Sequence, residues 1–245
     1  MKLSIFKRSN YMFIIVSGCN CAGKSSLCKK FLRDNHDFFT QHFENPKDEQ
    51  DGKNQYYTFL DNYDENKDYI LDRFHEGEWT YAPMIRNYTA SYLDEIEERF
   101  YKMNSIPFYI YVYADLKDIK ARAEHRGEDL IKPEQFLIER QLFDKFMHNQ
   151  HLSYCGINTS ILNHKQAYNT MKYSVNKWKQ ICDLTKDWKV KPRGDINAQR
   201  LRVVSNKDTL ILRPDIKNGN LWITEDKCVQ EQINIIQPDE VIYDA

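Results

Sequence analysis

Tyr11-Met12-Phe13-Ile14-Ile15-Val16, followed at once by Gly18-Cys19-Asn20-Cys21-Ala22-Gly23-Lys24-Ser25 and Ser26, is the stretch that decides the fold. The first part is an apolar run of strand length. The second is a complete G-x-x-x-x-G-K-S loop, and Ser25-Ser26-Leu27-Cys28-Lys29-Lys30-Phe31-Leu32 beyond it reads as a helix. A loop that leaves a buried strand and opens a helix turns several backbone N–H groups toward one point, where the helix N-terminus adds positive partial charge. A nucleotide polyphosphate fits that point. In this reading residues 18–26 cradle the phosphates of ATP, Lys24 reaches the β- and γ-phosphates, and the Ser25 hydroxyl holds Mg²⁺.

Working outward, Asp37 to Glu44 reads as a second strand closed by Asn45-Pro46, and a polar stretch runs through Asn54. Tyr56 to Tyr63 looks helical, and Tyr69-Ile70-Leu71 forms a short apolar run ending at Asp72. Ile85, Tyr88, Tyr92, Leu93, Ile96 and Phe100 stand at near-helical spacing and predict one long helix from about Pro83 to Met103. Phe108 to Tyr113 is the next strand, followed by a helix from about Leu116, a helix from Pro133 to about Asn149, a strand from Ile157 to Leu162 and a helix from His164 to Cys182. Strands alternating with helices predict a parallel three-layer α/β sandwich with ligands at the carboxyl ends of its strands. From about residue 188 the character changes. Four short β-rich segments, Leu201-Val204, Thr209-Leu212, Leu221-Thr224 and Val241-Tyr243, predict a small β appendage, so the expected organisation is 1–187 and 188–245.

Composition narrows the class. With 245 residues, a formal net charge of -1 and pI near 6.7, the chain lacks the basic excess of a dedicated nucleic-acid binder. No apolar run approaches the roughly 20 residues that span a membrane, and Met1 to Arg8 has no signal-peptide core, which predicts a soluble, cytoplasmic protein. Six cysteines are too sparse for a disulfide scaffold. Cys19-x-Cys21 has no second pair at zinc-site spacing and reads as loop filling, with thiols whose oxidation would block the loop.

Two further constellations carry chemistry. Asp72-Arg73-Phe74 follows a buried strand on the same sheet edge as the loop. Asp72 suits Mg²⁺ binding through water or proton acceptance, and Arg73 suits an acceptor phosphate; the plain alternative is a strand-ending ion pair. In Lys117 to Asp129, Arg122 and Arg126 are four apart on one helix face, with Gly127 as a hinge, so the segment suits a lid over a triphosphate. Its plain alternative is a charged surface helix. Phe43, Phe74, Trp79, Tyr81 and Tyr88 are candidates to stack on a base, most of them core. His75 reads as a structural or rim residue. Arg86 can reach an acceptor phosphate or be simply solvated.

The ordered set of phosphate loop, Phe43-Glu44-Asn45-Pro46, Leu71-Asp72-Arg73-Phe74, Arg122-x-x-x-Arg126-Gly127-Glu128 and Glu139-Arg140-Gln141-Leu142-Phe143 resembles the thymidylate kinase-like group of nucleotide and nucleoside kinases. The resemblance covers about residues 11 to 182. It implies a five-stranded parallel core, ATP- and Mg²⁺-dependent phosphoryl transfer to a deoxynucleotide in nucleotide biosynthesis, and a homodimer. By the resemblance Asp72 and Arg73 serve catalysis and acceptor binding, and Arg122 and Arg126 hold the donor phosphates; Glu44, Phe74 and Arg86 are added as acceptor-side candidates from their place in the sequence. The run Phe74 to Pro83 departs from the usual Ser-containing helix start and looks closer to viral and bacteriophage relatives, expected in a host cytoplasm. The β appendage is absent from a minimal thymidylate kinase.

Three functions are weighed. The leading one is a deoxynucleoside monophosphate kinase acting on dTMP or a modified pyrimidine analogue. The second keeps ATP but phosphorylates a deoxynucleoside, or a hydroxymethyl-pyrimidine base in DNA gripped by Lys191, Arg193, Arg200 and Arg202. The third is a nucleotide-binding regulatory module. It is disfavoured because Asn206-Lys207-Asp208-Thr209 lacks the second acid of a guanine-specific switch.

Overall fold

The computed structural model describes residues 11–103, 107–127, 131–149 and 152–184, together with strand residues 194–195, 201–204, 209–215, 220–223 and 240–243. Met1 to Arg8, the lid residues Glu128 and Asp129, the cations Lys191, Arg193 and Arg200, and Asn206 to Asp208 lie outside the described residues. The chain divides into two compact units, Met1–Gln150 with Gly156–Thr170, and His151–Cys155 with Met171–Ala245.

In the first unit, β1 (Phe13–Gly18) is flanked by β3 (Asp68–Asp72) on one side and β4 (Pro107–Tyr113) on the other, all parallel. With β2 (Phe38–Phe39) and β5 (Ser153–Asn158) the order is β2-β3-β1-β4-β5, the expected five-stranded parallel sheet. Central strands of such a sheet are covered on both faces and so read as continuous apolar runs. Phe13 to Val16 and Phe108 to Ile110 are accordingly fully buried.

The helices are α1 (Lys24–Asp34), α2 (Glu49–Asp61), α3 (His75–Tyr81), α4 (Leu93–Lys102), α5 (Leu116–Arg126), α6 (Phe136–Asn149) and α7 (His164–Leu184). Phe74 sits at the hub of an aromatic cluster, its ring centroid 4.9 to 6.4 Å from those of Phe13, Phe43, Tyr56, Phe59 and Phe100.

Four sequence expectations are corrected. The second strand is two residues long, because the chain leaves the sheet and Phe43 packs on Tyr56, Phe59 and Phe74. The polar stretch before Asn54 is helical: α2 starts at Glu49, where Asp48 caps it by accepting from the Asp51 amide at 2.8 Å. The long helix expected over 83–103 is instead broken: a π-turn at Ala82–Arg86 continues α3, and α4 starts only at Leu93. Asn87, in the left-handed region at φ 59, ends the π-turn with its N–H bonded to the Ala82 carbonyl. The last strand of the sheet is Ser153–Asn158, its Ser153, Cys155 and Ile157 side chains buried, and 159–162 form the turn into α7.

The second unit begins within β5, where Ser153 and Tyr154 pair in parallel with β6 (Gly194–Asp195). It continues through α7, where Ser174 Oγ lies 3.0 Å from Cys155 Sγ and Trp178 is buried. Strands β7 (Leu201–Val204), β8 (Thr209–Asp215), β9 (Asn220–Ile223) and β10 (Glu240–Tyr243) form an antiparallel sheet in the order β10-β7-β8-β9. These strands fall where the alternating β-rich segments predict them.

Candidate active site

The phosphate loop is shaped by backbone geometry before any side chain acts. Gly18 has φ 127, and a Cβ there would stand 1.9 Å from the Val112 carbonyl oxygen of β4, so only glycine fits. Cys21 at φ 54 and Gly23 at φ 97 complete the turn into α1, whose first turn carries no acid to oppose an anion. Ser25 and Ser26 are exposed on that turn. Lys24 is buried and its Nζ donates to the Gly18 and Cys19 carbonyls at 2.6 and 2.5 Å. Burial, reinforced by the Arg73 cation, lowers its pKa to about 8, opposed chiefly by the Glu139 carboxylate.

Cys19 is fully buried and its thiol is pushed up to about 12, first by burial and then by Glu139. Oxidation needs an accessible thiolate, so the expected sensitivity of this cysteine is not supported. Cys21 is half-buried.

Arg122 and Arg126, the arginines of the expected lid, both reach the loop. Arg122 donates to the Cys21 carbonyl at 3.3 Å and to the Thr159 hydroxyl and carbonyl, each at 2.9 Å. Thr159 Oγ1 itself lies 2.9 Å from the Ala22 carbonyl oxygen. Arg126, exposed one turn later, places Nη1 4.0 Å from Cys21 Sγ. Thr159, in the turn after β5, joins Arg122 to the loop and was missed by the sequence reading; it falls inside what looked like a strand.

Beside the loop, which Arg73 reaches at Asn20, an open cleft of about 530 Å³ is lined by residues from four separated segments. It holds every candidate acceptor residue, Glu44, Arg73, Phe74 and Arg86, and adds Asn45, Tyr56, Glu78 and Tyr81. Arg73 is the pivot. It sits in the left-handed region at φ 73, its N–H is bonded to the Val16 carbonyl at 3.1 Å, and its Nη2 donates to Asn20 Oδ1 at 3.2 Å. One guanidinium therefore touches the loop while lining the cleft.

Below it, the Glu76 carboxylate accepts from the Phe74 amide at 3.0 and 3.1 Å and fixes the start of α3. Glu78, buried, accepts from Arg86 Nη1 at 2.6 Å and from the Tyr88 hydroxyl. Burial raises the pKa of both acids despite these partners. His75 is outside the cleft, packed among Phe74, Phe100, Tyr109 and Phe146. Trp79 likewise packs on Phe146 rather than lining the cleft.

Asp72, at the end of β3, is half-buried, and its Oδ1 has no hydrogen-bond partner. Among the described residues no group of three or more His, Cys, Asp or Glu is placed to hold a metal, and no helix is long and apolar enough to cross a membrane.

No protein-family model matches the chain, and no curated protein sequence matches it. Solved structures do. YorR of Bacillus subtilis, solved in complex with phosphorylated GDP, aligns with TM-score 0.55 and 22% identity over 67% of this chain and 95% of YorR. A deoxyadenosine kinase of M. mycoides with dCMP and dCDP aligns at 0.47 and 15% over 68% of this chain and 100% of its own. Thymidylate kinase of Candida albicans aligns at 0.49 and 11% over 69% and 92%. The likeness to YorR establishes that this chain has the same α/β fold.

Proposed function

We propose that this protein is a kinase that transfers the γ-phosphoryl group of ATP to a deoxynucleoside monophosphate, dTMP or a modified pyrimidine analogue. The observation that carries the reading is Arg73, which hydrogen-bonds the phosphate loop through Asn20 and lines the cleft beside it. A group so placed serves donor and acceptor phosphates at once, and phosphoryl transfer is mostly positioning and charge neutralisation.

The roles follow from placement. The loop N–H groups and the α1 N-terminus bind the donor phosphates, for which Lys24 exchanges its carbonyl partners. Arg122 and Arg126 approach from the lid side. Arg73 grips the acceptor phosphate, with Arg86 lining the same cleft and Phe43 and Phe74 as apolar wall. Ser25 and Asp72, whose buried Oδ1 has no hydrogen-bond partner, offer hard oxygens of the kind Mg²⁺ takes. That ion, when bound, would neutralise charge on the transferred group.

A second reading, a deoxynucleoside kinase, is favoured by one feature: two acids, Glu44 and Glu78, line the same cleft. There Glu44 or Asp72 would accept the proton of a 5′-hydroxyl. The test is ATP consumption with Mg²⁺ across deoxynucleoside monophosphates, deoxynucleosides and hydroxymethyl-pyrimidine DNA, with Lys24→Ala as the blank. Selective turnover of a monophosphate supports the leading reading; turnover of nucleosides or DNA alone replaces it.

A further inference from the structure

Glu139 is a charged residue in an apolar stripe. Helix α6 buries Phe136, Phe143, Phe146 and Met147, and Glu139 stands in the same row, fully buried. A buried carboxylate costs free energy that an apolar residue at this position would not. Two donors from different parts of the site converge on one of its oxygens. The Asn20 backbone N–H lies 2.8 Å from Oε1, and the Tyr81 hydroxyl lies 2.5 Å from the same atom. Asn20 belongs to the phosphate loop and Tyr81 lines the cleft. Its other oxygen, Oε2, is buried without a hydrogen-bond partner. Burial raises the pKa of the group, opposed by the Tyr81 hydrogen bond and the Lys24 cation.

We propose that Glu139 is a positioning residue that couples the phosphate loop to the acceptor cleft: it fixes Asn20 and Tyr81 together, and through the Asn20 side chain it sets the place of Arg73. The inference rests on the kinase reading for its catalytic consequence, but the linkage itself is a matter of geometry. The chain of contacts is Tyr81 and the Asn20 amide to Glu139, then Asn20 Oδ1 to Arg73 Nη2. It crosses from α3 through α6 to the loop and back to the end of β3. Nothing in it needs to touch a substrate for its loss to misplace a group that does.

The experiment uses the full-length chain and a double-mutant cycle of Tyr81→Phe and Asn20→Ala, with Glu139→Leu and Glu139→Gln alongside. Each variant is read by kcat and KM for ATP and for the acceptor that wild type turns over, by affinity for the fluorescent analogue mant-ATP, and by Tm. If the relay acts as a unit, Tyr81→Phe lowers kcat about fivefold in wild type but less than about twofold in the Asn20→Ala background. Glu139→Leu lowers kcat by on the order of a hundredfold with KM values little changed, while Glu139→Gln, whose amide oxygen accepts from both donors, stays within about fivefold of wild type.

Additive effects of the two cycle mutations overturn the proposal, as does a Glu139→Leu protein that loses only Tm. Should Glu139→Leu not fold, the cycle decides alone. A wild type that binds mant-ATP yet phosphorylates nothing overturns the kinase reading instead, and the cycle then decides the coupling by affinity: non-additive losses support it, additive losses reject it.

Discussion

The phosphate loop and the cleft proposed to take the acceptor meet at Arg73 and are built on opposite plans. The loop is one contiguous run, and its chemistry belongs largely to the backbone: N–H groups, left-handed residues and a helix end. The cleft is assembled from side chains on segments near residues 44, 56, 73 and 78–86, held together by an aromatic cluster and buried acids. A contiguous backbone device is robust to most side-chain changes and fails at a few positions. A cleft of side chains is tunable at each position. On this view the donor side should be all-or-none under mutation and the acceptor side graded.

The largest effect expected is Lys24→Ala, which removes the cation that in the proposed reading serves the donor phosphates. We expect kcat to fall by on the order of 10³ or more, with Tm held or raised because a buried charge is lost. Steady-state kinetics and thermal unfolding measure both. A variant within tenfold of wild type would break the donor half of the comparison.

Next is Arg73→Lys, which keeps the charge but gives up the planar fork that reaches Asn20 and the cleft together. A loss of about a hundredfold in kcat/KM is expected for both substrates. A loss confined to the acceptor would mean that Arg73 belongs to the cleft alone.

How much of this was legible in the sequence follows the same division. Gly18 to Ser25 could be read directly because the residue types are required by the backbone, and the strand before it is apolar because both its faces are covered. Asp72, Arg73, Arg122 and Arg126 were legible as types but not as partners. That Arg73 occupies a left-handed conformation, and that Arg122 is bonded to Thr159, depends on tertiary packing that no local pattern carries.

The misread region, 83–92, is instructive. Pro83, Ile85 and Tyr88 fit a helical spacing, yet the chain inserts a π-turn and stops at Asn87. That break brings Arg86 and Tyr88 to Glu78, so the irregularity shapes the cleft. Glu139 was visible as a charge at a buried heptad-like position, between Phe136 and Phe143, and that mismatch was the one signal available for it.

A third test is the alkaline limb of the pH profile. The Lys24 pKa in the folded protein is about 8, below its value in the unfolded chain, because burial disfavours the charged form. The proposed reading has the donor phosphates use that charge, so on it kcat/KM for ATP should fall about tenfold per pH unit above 8, reporting the free enzyme. Stability moves the other way. The unfolded chain binds more protons between about 8 and the ordinary lysine pKa, so this group makes the fold more stable as pH rises through that window. Lys24→Arg, which does not titrate there, should flatten the limb at a lower rate. An unchanged limb would assign it to another group.

The smallest effect distinguishes the acceptor side most sharply. Glu78 is buried, accepts from both Arg86 and Tyr88, and lines the cleft without touching the loop. Glu78→Gln keeps one acceptor oxygen, so one of the two donors retains a partner and the other loses it. Either way Arg86 faces a neutral amide in place of a carboxylate and presents more charge to the cleft. If the acceptor carries a phosphate, its KM should change by no more than about fivefold while KM for ATP stays within twofold and kcat falls only slightly. If the acceptor is a nucleoside that hydrogen-bonds Glu78, the loss appears as a rise in acceptor KM of about tenfold or more. Parallel changes in both KM values would show that the cleft and the loop respond as one device, and the contrast between them would have to be given up.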